Sequence, residues 1–447
     1  MNSSMLSRRR LLGLAGGAAL ALTPLGCGGG AGGGNGFAQP EGKVPDQYKK
    51  RQRVVVWHPY AAAVGEAFTK LVGQFNESQQ DIYLESQFQG SYDELAQKLA
   101  AGLQARQVPD LCVFSEVVWR KFLFNEALAP LTDLFGDGFA PTEYVDTLIK
   151  EGTVKDKVWW VPFGRSTPLF YYNRTMFAQA GLPDRGPKTW DELRSWGPAL
   201  QKVKTNGKSP KLQAFPQVDG DWHFQGVVWQ FGGNYSKGLD VTIDQGGAVA
   251  AGEWQRRLVH TDQQAYMAKS PKVDFANGLV ATLHESTGTL TSLLKEAKFE
   301  IGASFVPEQV QFGCPTGGGG MSIMAGAPKE RQEAAFQFIR FAAKAENAAQ
   351  WSLDTGYLPA TKAALDTPQM RQRFTERPQF KVAVDQLPKT QAQDPVRLMV
   401  PNANKAIYGG LQKIWADNRP AQEVFTAVAA ELRKSTESVR AQVEKYS

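Results

Sequence analysis

The side chains that could do chemistry in this chain do not have the spacing that common catalytic or metal sites require. Asp93 and Glu94 are neighbouring carboxylates, but they are adjacent on a predicted helix and so do not face one another. No G-x-S-x-G sequence, which would place a serine nucleophile, occurs in the 447 residues. The four histidines lack metal-ligand spacing; they are His58, His223, His260 and His284. These absences favour a protein that binds without reacting, with no metal or cofactor, over a hydrolase.

The cysteines and the glycine run are equally uninformative about catalysis. Beyond residue 50 the only cysteines are Cys112 and Cys314, too few for a disulfide framework or a zinc site. They either pair or stay as free buried thiols. Residues 317–320 are four glycines with no lysine after them, so they are not a phosphate-binding P-loop.

Alternating strands and helices open the folded part of the chain. Strands are predicted at 53–57, 82–89 and 111–114, and helices at 65–76 and 92–103. This order predicts an α/β fold with a parallel sheet and right-handed crossovers. Glu116 directly follows the third strand, at the edge where such sheets bind ligands. A carboxylate there suits the paired hydroxyls of glycerol or a sugar; the alternative is a charge at a helix N-terminus.

The rest of the chain is long enough for a second lobe. About 400 residues follow the N-terminal region, more than a single core usually accommodates. A break at 162–168 precedes a β-rich run at 169–173. Thr189 is a predicted helix N-cap, with Glu192 completing a capping box. Residues 421–446 are predicted to form a long amphipathic helix.

The N-terminus predicts export. A twin-arginine pair within Arg8-Arg9-Arg10 precedes an apolar run at 11–22, which is too short to span a bilayer, and Cys27 follows it. Residues 1–27 are therefore predicted to be a signal that ends at a lipid-modified Cys27. The glycine-rich residues 28–52 are predicted to be a flexible linker. Removing the arginines lowers the formal charge from +6 to near +3, which does not favour nucleic acid as a partner.

Four stretches carry a resemblance to a known family. They are STPLFYYN at 166–173 followed by AGLP and PKTWDEL, AAKAENAAQWS running into TGYLPATKAAL at 342–365, Trp57-His58, and Val396-Arg397-Leu398. In this order, behind an export signal, the chain resembles the family 1, maltose-binding-like, extracellular solute-binding proteins of ABC importers. Within that group it is most similar to glycerol-3-phosphate and glycerophosphodiester binders.

The resemblance implies a type II periplasmic-binding-protein fold, a monomer whose two α/β lobes close on a ligand in the cleft. The implied N-terminal lobe is 53–164 with 315–385, and the C-terminal lobe is 165–314 with 386–447. The chain would cross between lobes near Gly164, near 306–317 and near 388–396. The implied partners are a small-molecule ligand and ABC permease subunits driven by a separate ATPase, with the protein held at the periplasmic membrane surface by its lipid.

The ligand residues are also implied by the resemblance. A phosphorylated polyol needs an anion anchor, hydroxyl partners and an apolar platform. Arg397 matches the family's ligand arginine, and its guanidinium offers phosphate a planar fork of donors; the alternative is a surface arginine. Tyr92 and Tyr357 match ligand tyrosines, although either ring could be core. The remaining implied ligand residues are Trp57, His58, Glu116, Ser166, Trp222, Ser286 and Gly318.

Two departures from the family pattern leave the ligand open. Trp222 is the only clear member of an expected tryptophan pair, and Trp57 and Trp229 are other possible platforms. Arg165 replaces a small or amide-like residue, and it either adds a phosphate contact, fills space or pairs with a carboxylate. A phosphorylated polyol competes with a neutral sugar such as maltose or trehalose, and a secreted hydrolase is the remote alternative.

Overall fold

The computed structural model describes residues 36–205, 207–217 and 220–446. The predicted export signal, the lipid site at Cys27 and the first part of the predicted linker lie outside the described residues.

The strands and helices alternate over most of the described chain. The strands are β1 (Gln52–His58), β2 (Ile82–Phe88), β3 (Leu111–Ser115), β4 (Thr153–Val154), β5 (Lys157–Val158), β6 (Val161–Ser166), β7 (Pro168–Asn173), β8 (Gln213–Pro216), β9 (Ser236–Lys237), β10 (Asp240–Val241), β11 (Ala265–Ala268), β12 (Thr282–Ser286), β13 (Ile301–Ser304) and β14 (Gly317–Ile323). The helices are α1 (Ala62–Ser78), α2 (Tyr92–Gln104), α3 (Trp119–Phe124), α4 (Asp146–Lys150), α5 (Arg174–Gln179), α6 (Trp190–Leu200), α7 (Gly220–Gln230), α8 (Gly246–His260), α9 (Pro271–Ala276), α10 (Leu290–Glu296), α11 (Lys329–Ala343), α12 (Ala345–Thr355), α13 (Lys362–Leu365), α14 (Pro368–Glu376), α15 (Gln379–Gln386), α16 (Pro395–Met399), α17 (Ala403–Trp415) and α18 (Ala421–Tyr446).

A five-stranded sheet forms the centre of the N-terminal lobe. Its order is β2-β1-β3-β14-β6, with β1, β2 and β3 parallel and β14 antiparallel to both of its neighbours. The β-branched run Val54–Val56 is completely buried in β1, because both faces of the sheet are covered. In α1 the buried residues Phe68, Leu71, Val72 and Phe75 recur at helical spacing. The predicted strand and helix order of this lobe is confirmed.

The C-terminal lobe has smaller sheets and a packed group of helices. Strands β12, β7 and β13 form an antiparallel sheet, and β8 pairs in parallel with β11. Helices α7, α8, α17 and α18 pack together. The predicted C-terminal helix is confirmed as α18, and its last turn reaches the other lobe, where Lys445 pairs with Glu126 and the Tyr446 ring lies 5.6 Å from that of Phe124.

The first crossing between the lobes lies slightly later than predicted. Strand β6 ends at Ser166 in the five-stranded sheet, and β7 begins at Pro168 in the other lobe, so Thr167 is the crossing residue rather than Gly164. Arg165 and Ser166 therefore belong to the N-terminal lobe, which corrects the predicted boundary at 165. The break at 162–168 in the sequence indicates where the chain crosses between lobes. It does not show that Arg165 and Ser166 stay hydrogen-bonded to β14.

Another correction concerns the residues before the third crossing. Helix α15 was predicted to be in the N-terminal lobe, but Phe380 and Ala383 are buried with Leu169 and Ile301 of the C-terminal lobe's sheet. The Gln379 amide also donates to the Ile301 carbonyl at 2.7 Å. The apolar face of α15 predicts burial, but an amphipathic pattern does not say against which lobe.

Residues 36–52 are not a flexible linker, in contrast to the prediction. The Phe37 N–H donates to the Gly326 carbonyl at 2.7 Å, and Ala38 bridges to Gln107. The Gln39 amide donates to the buried carboxylate of Asp110 at 2.6 Å. Glycine content predicts a flexible chain, but these later residues are fixed because they satisfy buried polar groups of the N-terminal lobe.

Two local predictions have clear outcomes. Thr189 caps α6 by accepting from the Glu192 N–H at 3.0 Å, as predicted, but the Glu192 carboxylate turns to the Lys188 N–H and Arg185 instead of completing the box. Cys112 and Cys314 are free, buried thiols, and burial raises their pKa values. Among the described residues no helix is long and apolar enough to cross a bilayer.

Candidate functional site

The two lobes meet at a buried ionic cluster centred on Arg397. Strand β3 places Glu116 at its carboxyl end, and the short helix α16 places Arg397 opposite it. The Arg397 Nη1 lies 3.2 Å from Glu116 Oε1, and its Nε donates to Asp221 Oδ2 at 2.6 Å. Nη1 also donates to Gln393 Oε1. The structure therefore brings together the predicted anion anchor and the predicted hydroxyl-binding carboxylate.

Burial and charge act against each other in this cluster. Arg397 is 5% exposed and Asp221 2% exposed, so desolvation disfavours both charges. Burial raises the pKa of Asp221, and the Arg397 guanidinium opposes that shift. Burial alone would lower the pKa of Arg397, but Asp221 and Glu116 raise it above its ordinary value. Arg397 is thus a permanent cation, and its single positive charge faces two carboxylates.

Three tyrosines form the other side of the site. The rings of Tyr60 and Tyr357 lie 6.4 Å apart, and the Tyr60 and Tyr92 hydroxyls approach Gly319, where a Cβ would lie 3.2 Å and 2.4 Å from them. Both of these hydroxyls are buried, and they interact with each other, with no further hydrogen-bond partner among the described residues. Burial raises the pKa values of Tyr60 and Tyr92 well above 10, and burial with the Glu116 charge raises that of Tyr357 to about 12. These hydroxyls therefore stay protonated and are able to donate to a ligand oxygen.

Arg165 lies behind the site, and both of its terminal nitrogens contact protein groups, while its buried Nε has no hydrogen-bond partner among the described residues. It is completely buried, its Nη2 lies 2.5 Å from Glu151 Oε2, and its Nη1 donates to the Gly318 carbonyl at 2.9 Å. Its guanidinium also lies 4.9 Å above the Trp160 ring. Of the three roles open at the sequence level, pairing with a carboxylate is the one that the geometry supports. The terminal nitrogens of Arg165 thus support the glycine strand, and a contact between Arg165 and a phosphate stays a prediction.

Gly318 joins these two groups of side chains. Its φ of +99° is in the left-handed region that favours glycine. Its N–H donates to Glu116 Oε2 at 3.1 Å, while the Glu116 N–H donates back to its carbonyl. The N–H of Gly318 is therefore already occupied and orients the Glu116 carboxylate.

Trp222 is the tryptophan that lies beside the cluster. It follows Asp221 at the start of α7, and its Nε1 donates to the Thr316 carbonyl at 3.1 Å. A Cβ on Gly317 would lie 2.5 Å from the indole, so the ring covers this part of the glycine strand. Trp229 lies deeper in α7, completely covered, with its Nε1 donating to Asp394. Trp222 therefore lies closer to the cluster than Trp229, and its role as a stacking platform stays a prediction.

Trp57 and His58 are not brought to the cluster. Trp57 packs in an apolar group beneath α2, and its Nε1 donates to Gln87. The His58 ring packs 4.5 Å from that of Phe68 and 6.1 Å from that of Tyr60, and burial lowers its pKa to about 4. His58 packs beside Tyr60, whereas Trp57 packs in a separate apolar group, and their contact with a ligand stays a prediction.

The two predicted serines lie on the hinge side of the site. Ser166 pairs with Gly317 in the β6–β14 ladder, next to Thr167. Ser286 ends β12, and its hydroxyl accepts from the Gly288 N–H at 3.1 Å. A Cβ on Gly288 would lie 2.8 Å from the Tyr357 ring. Ser286 is therefore one short turn away from a site tyrosine.

Sequence reasoning did not identify four side chains of the site: Tyr60, Glu151, Asp221 and Gln393. Asp221 adjoins Trp222, and a buried carboxylate would have been a reasonable partner for an isolated arginine. The Gln393 amide donates to the Thr316 carbonyl at 2.5 Å and faces Glu116 at 3.3 Å. Glu151 precedes a two-strand turn, and no sequence signal connects it to Arg165.

The remaining titratable residues do not form a metal centre. No group of three or more His, Cys, Asp or Glu side chains in the described part of the chain is arranged to hold a metal ion. His223 Nε2 lies 3.4 Å from Glu285, and the two rings of His223 and His284 are 5.2 Å apart. Burial lowers the pKa of His284 well below its ordinary value.

This chain is similar to known solute-binding proteins in sequence and in structure. Residues 70–382 match the family described as bacterial extracellular solute-binding protein. A solved structure of UgpB from Mycobacterium tuberculosis in complex with glycerophosphocholine is 34% identical, with a TM-score of 0.82, and covers 86% of this chain and 98% of that one.

More distant relatives agree with this match. The sn-glycerol-3-phosphate-binding periplasmic protein UgpB of Pectobacterium atrosepticum is 26% identical over 398 residues, 83% of this chain and 88% of the relative. The GacH receptor of Streptomyces glaucescens, solved unliganded and with acarbose, is 18% identical with a TM-score of 0.76, over 87% of this chain and 99% of that one. At that identity the likeness concerns the fold alone.

Proposed function

Because this chain belongs to the bacterial extracellular solute-binding proteins, we propose that it captures glycerophosphodiesters outside the cytoplasmic membrane and delivers them to the permease of an ABC importer. The observation that carries the proposal is the Arg397–Glu116 contact across the lobes, next to two buried tyrosine hydroxyls that have no partner but each other among the described residues. A ligand that bridges such groups makes contacts with both lobes at once and therefore favours the closed state.

The charges around Arg397 favour a phosphodiester over a phosphomonoester. A diester phosphate has one negative charge, whereas glycerol-3-phosphate is close to a dianion at neutral pH. Asp221 and Glu116 both repel a negative ligand that approaches Arg397, and this repulsion is about twice as large for a dianion as for a monoanion. The glycerol hydroxyls would donate to Glu116 and accept from Tyr60 or Tyr92.

Isothermal titration of the fragment that begins after Cys27 tests this proposal. Glycerophosphocholine is expected to bind at micromolar concentration or tighter, glycerol-3-phosphate more weakly, and maltose and trehalose not at all. Binding of a sugar alone would favour the neutral-sugar alternative and would make Arg397 a structural or hydroxyl-directed residue. Glycerol-3-phosphate binding more tightly than the diester would contradict the charge argument.

The protein acts as a binding protein and not as an enzyme in this proposal. Incubation of glycerophosphocholine with the protein is expected to leave the diester intact, measured by phosphorus NMR against a buffer control. Release of choline or glycerol-3-phosphate would instead favour the hydrolase alternative.

The proposal also includes a lipid on Cys27 that attaches the protein to the membrane surface. The twin-arginine signal and the cysteine support it. Expression in a bacterial host with radiolabelled palmitate is expected to label the full chain and not Cys27→Ser. Equal labelling of both proteins would show that the lipid, if present, is elsewhere.

A further inference from the structure

Gln386 occupies the place where all three crossing segments meet. It is the last residue of α15 and is completely buried. The first crossing passes at Thr167, the second leaves β13 and returns at β14, and the third leaves α15 at Gln386 itself. One side chain is thus adjacent to every covalent connection between the lobes.

Its amide bonds to each of these segments. The Nε2 donates to the Pro168 carbonyl at 2.8 Å and to the Thr167 hydroxyl at 3.3 Å, both in the first crossing. The Oε1 accepts from the Val306 N–H at 3.0 Å, at the start of the second crossing. The Nε2 also lies 3.2 Å from the Cys314 sulfur, near the end of that crossing.

Backbone contacts continue the same cluster. The Gln391 N–H donates to the Cys314 carbonyl at 3.1 Å, so the second and third crossings run side by side. Pro315 and Gln391 form an isolated parallel bridge. The three segments therefore form a small bonded unit in which Gln386 supplies the side chain common to all of them.

We propose that Gln386 is the positioning residue of the hinge, and that it holds the three crossings in one register so that the lobes rotate about a single axis. Hinge motions are absorbed by a few residues at the ends of elements, and separate crossings without a common link would bend independently. The Val306 N–H and the Pro168 carbonyl are satisfied only while the segments keep this register. The inference rests on the proposed capture of a solute by lobe closure.

The distance between the lobes measures this role directly. Spin labels are placed at Glu77→Cys in the N-terminal lobe and Lys202→Cys in the C-terminal lobe, two exposed positions, while Cys112 and Cys314 are buried. Pulsed electron resonance without ligand is expected to give narrow distance populations for the parent protein. Gln386→Met, which keeps the shape but removes the bonds, is expected to give a distribution at least twice as broad.

Two further variants separate a hinge role from general destabilisation. Gln379→Met removes a comparable amide bond on the same helix, but within one lobe, and is expected to leave the distribution narrow. Gln386→Glu keeps the acceptor for Val306 and loses the donor to Pro168, so an intermediate width is expected even if Gln386→Met fails to fold. Unchanged widths in both Gln386 variants would overturn the proposal.

Ligand titration gives the second readout. Glycerophosphocholine is expected to bind Gln386→Met about tenfold more weakly, because closure no longer returns the lobes to one arrangement. The ligand-free distance widths do not depend on this binding. If the Gln386 variants give broad distance distributions but the parent protein does not bind glycerophosphocholine, the hinge role is supported and the proposed ligand is wrong. If the Gln386 variants give narrow distributions and the parent protein binds normally, the hinge role is wrong and the proposed ligand is supported.

Discussion

Arg397 and Glu116 connect the two lobes through a contact of 3.2 Å between Nη1 and Oε1. Because Asp221 holds the other side of the same guanidinium, two carboxylates contact Arg397 before any ligand arrives. A ligand phosphate must therefore bind a guanidinium whose orientation is already fixed by two protein carboxylates. This arrangement makes orientation, rather than net charge, the main contribution of Arg397.

Replacing Arg397 is expected to affect binding and stability together. Arg397→Ala should weaken glycerophosphocholine binding by roughly 2 kcal/mol or more, the loss of a charge-assisted contact. It should also destabilise the fold by about 3–5 kcal/mol, because Asp221 stays buried without its partner. Titration calorimetry and urea unfolding measure the two effects.

A double variant separates the two roles of this arginine. Asp221→Asn with Arg397→Met should recover part of the stability, because only Glu116 is left without its cation and it still accepts from Gln393 and the Gly318 N–H, but it should not recover binding. Arg419→Ala breaks an exposed pair with Glu423 and is the control, with little expected change in either quantity. Normal ligand affinity in Arg397→Ala would remove this residue from the site.

The fold and part of the site could be predicted from sequence for a physical reason. Hydrophobic periodicity located β1, α1 and the elements after them, because burial of one face is a local property. Glu116 followed from the rule that ligands lie at the carboxyl ends of parallel strands. Arg397 came from family likeness and not from its own surroundings.

The missed residues depend on long-range contacts. Glu151 and Arg165 are close in sequence, but their pairing depends on how β14 lies against β6. Asp221 meets Arg397 across 176 positions of sequence. A single sequence contains no pattern for such pairs, and the same reason explains why α15 was assigned to the wrong lobe.

Tyr60→Phe tests whether the buried Tyr60 hydroxyl binds ligand. Among the described residues the Tyr60 hydroxyl interacts only with that of Tyr92, so its removal should lower the free energy of unfolding by no more than about 1 kcal/mol. Ligand affinity should fall by roughly 1 kcal/mol if the hydroxyl donates to a ligand oxygen. Tyr266→Phe is a matched control, because its hydroxyl donates to Asp274 at 2.7 Å away from the site. Tyr266→Phe should lose stability and keep its ligand affinity. If Tyr60→Phe also loses stability and keeps its ligand affinity, Tyr60 lies outside the site.

Stability should decrease below neutral pH, partly because of His58. Burial lowers the pKa of His58 from 6.5 to about 4 in the folded state. Between these values the unfolded chain binds a proton that the folded protein does not bind, so acid favours unfolding. The loss is fully developed below about pH 4 and amounts to at most roughly 3 kcal/mol for this ring. His284 is shifted in the same direction and adds to the effect.

Urea unfolding at pH 7 and pH 4.5 measures the histidine contribution. His58→Phe keeps an aromatic ring beside Phe68 and should reduce the difference in unfolding free energy between the two pH values. His260→Gln, whose ring is only partly buried, is the control. An unchanged pH difference in His58→Phe would mean that other groups determine the acid sensitivity.

The ordered N-terminal segment should contribute to stability without affecting binding. Gln39 donates to Asp110 Oδ2 at 2.6 Å, and the same oxygen accepts from the Val55 N–H at 2.9 Å in the central strand. Gln39→Ala should lower the free energy of unfolding by roughly 1.5–3 kcal/mol, the usual range for a bond to a charged group. A fragment that begins at residue 43 should lose at least as much, because Phe37 and Ala38 are also removed. Gln372→Ala, which breaks an exposed bond to Glu376, should change little. Equal urea midpoints for the fragments that begin at residues 36 and 43 would restore the interpretation of this segment as a passive linker.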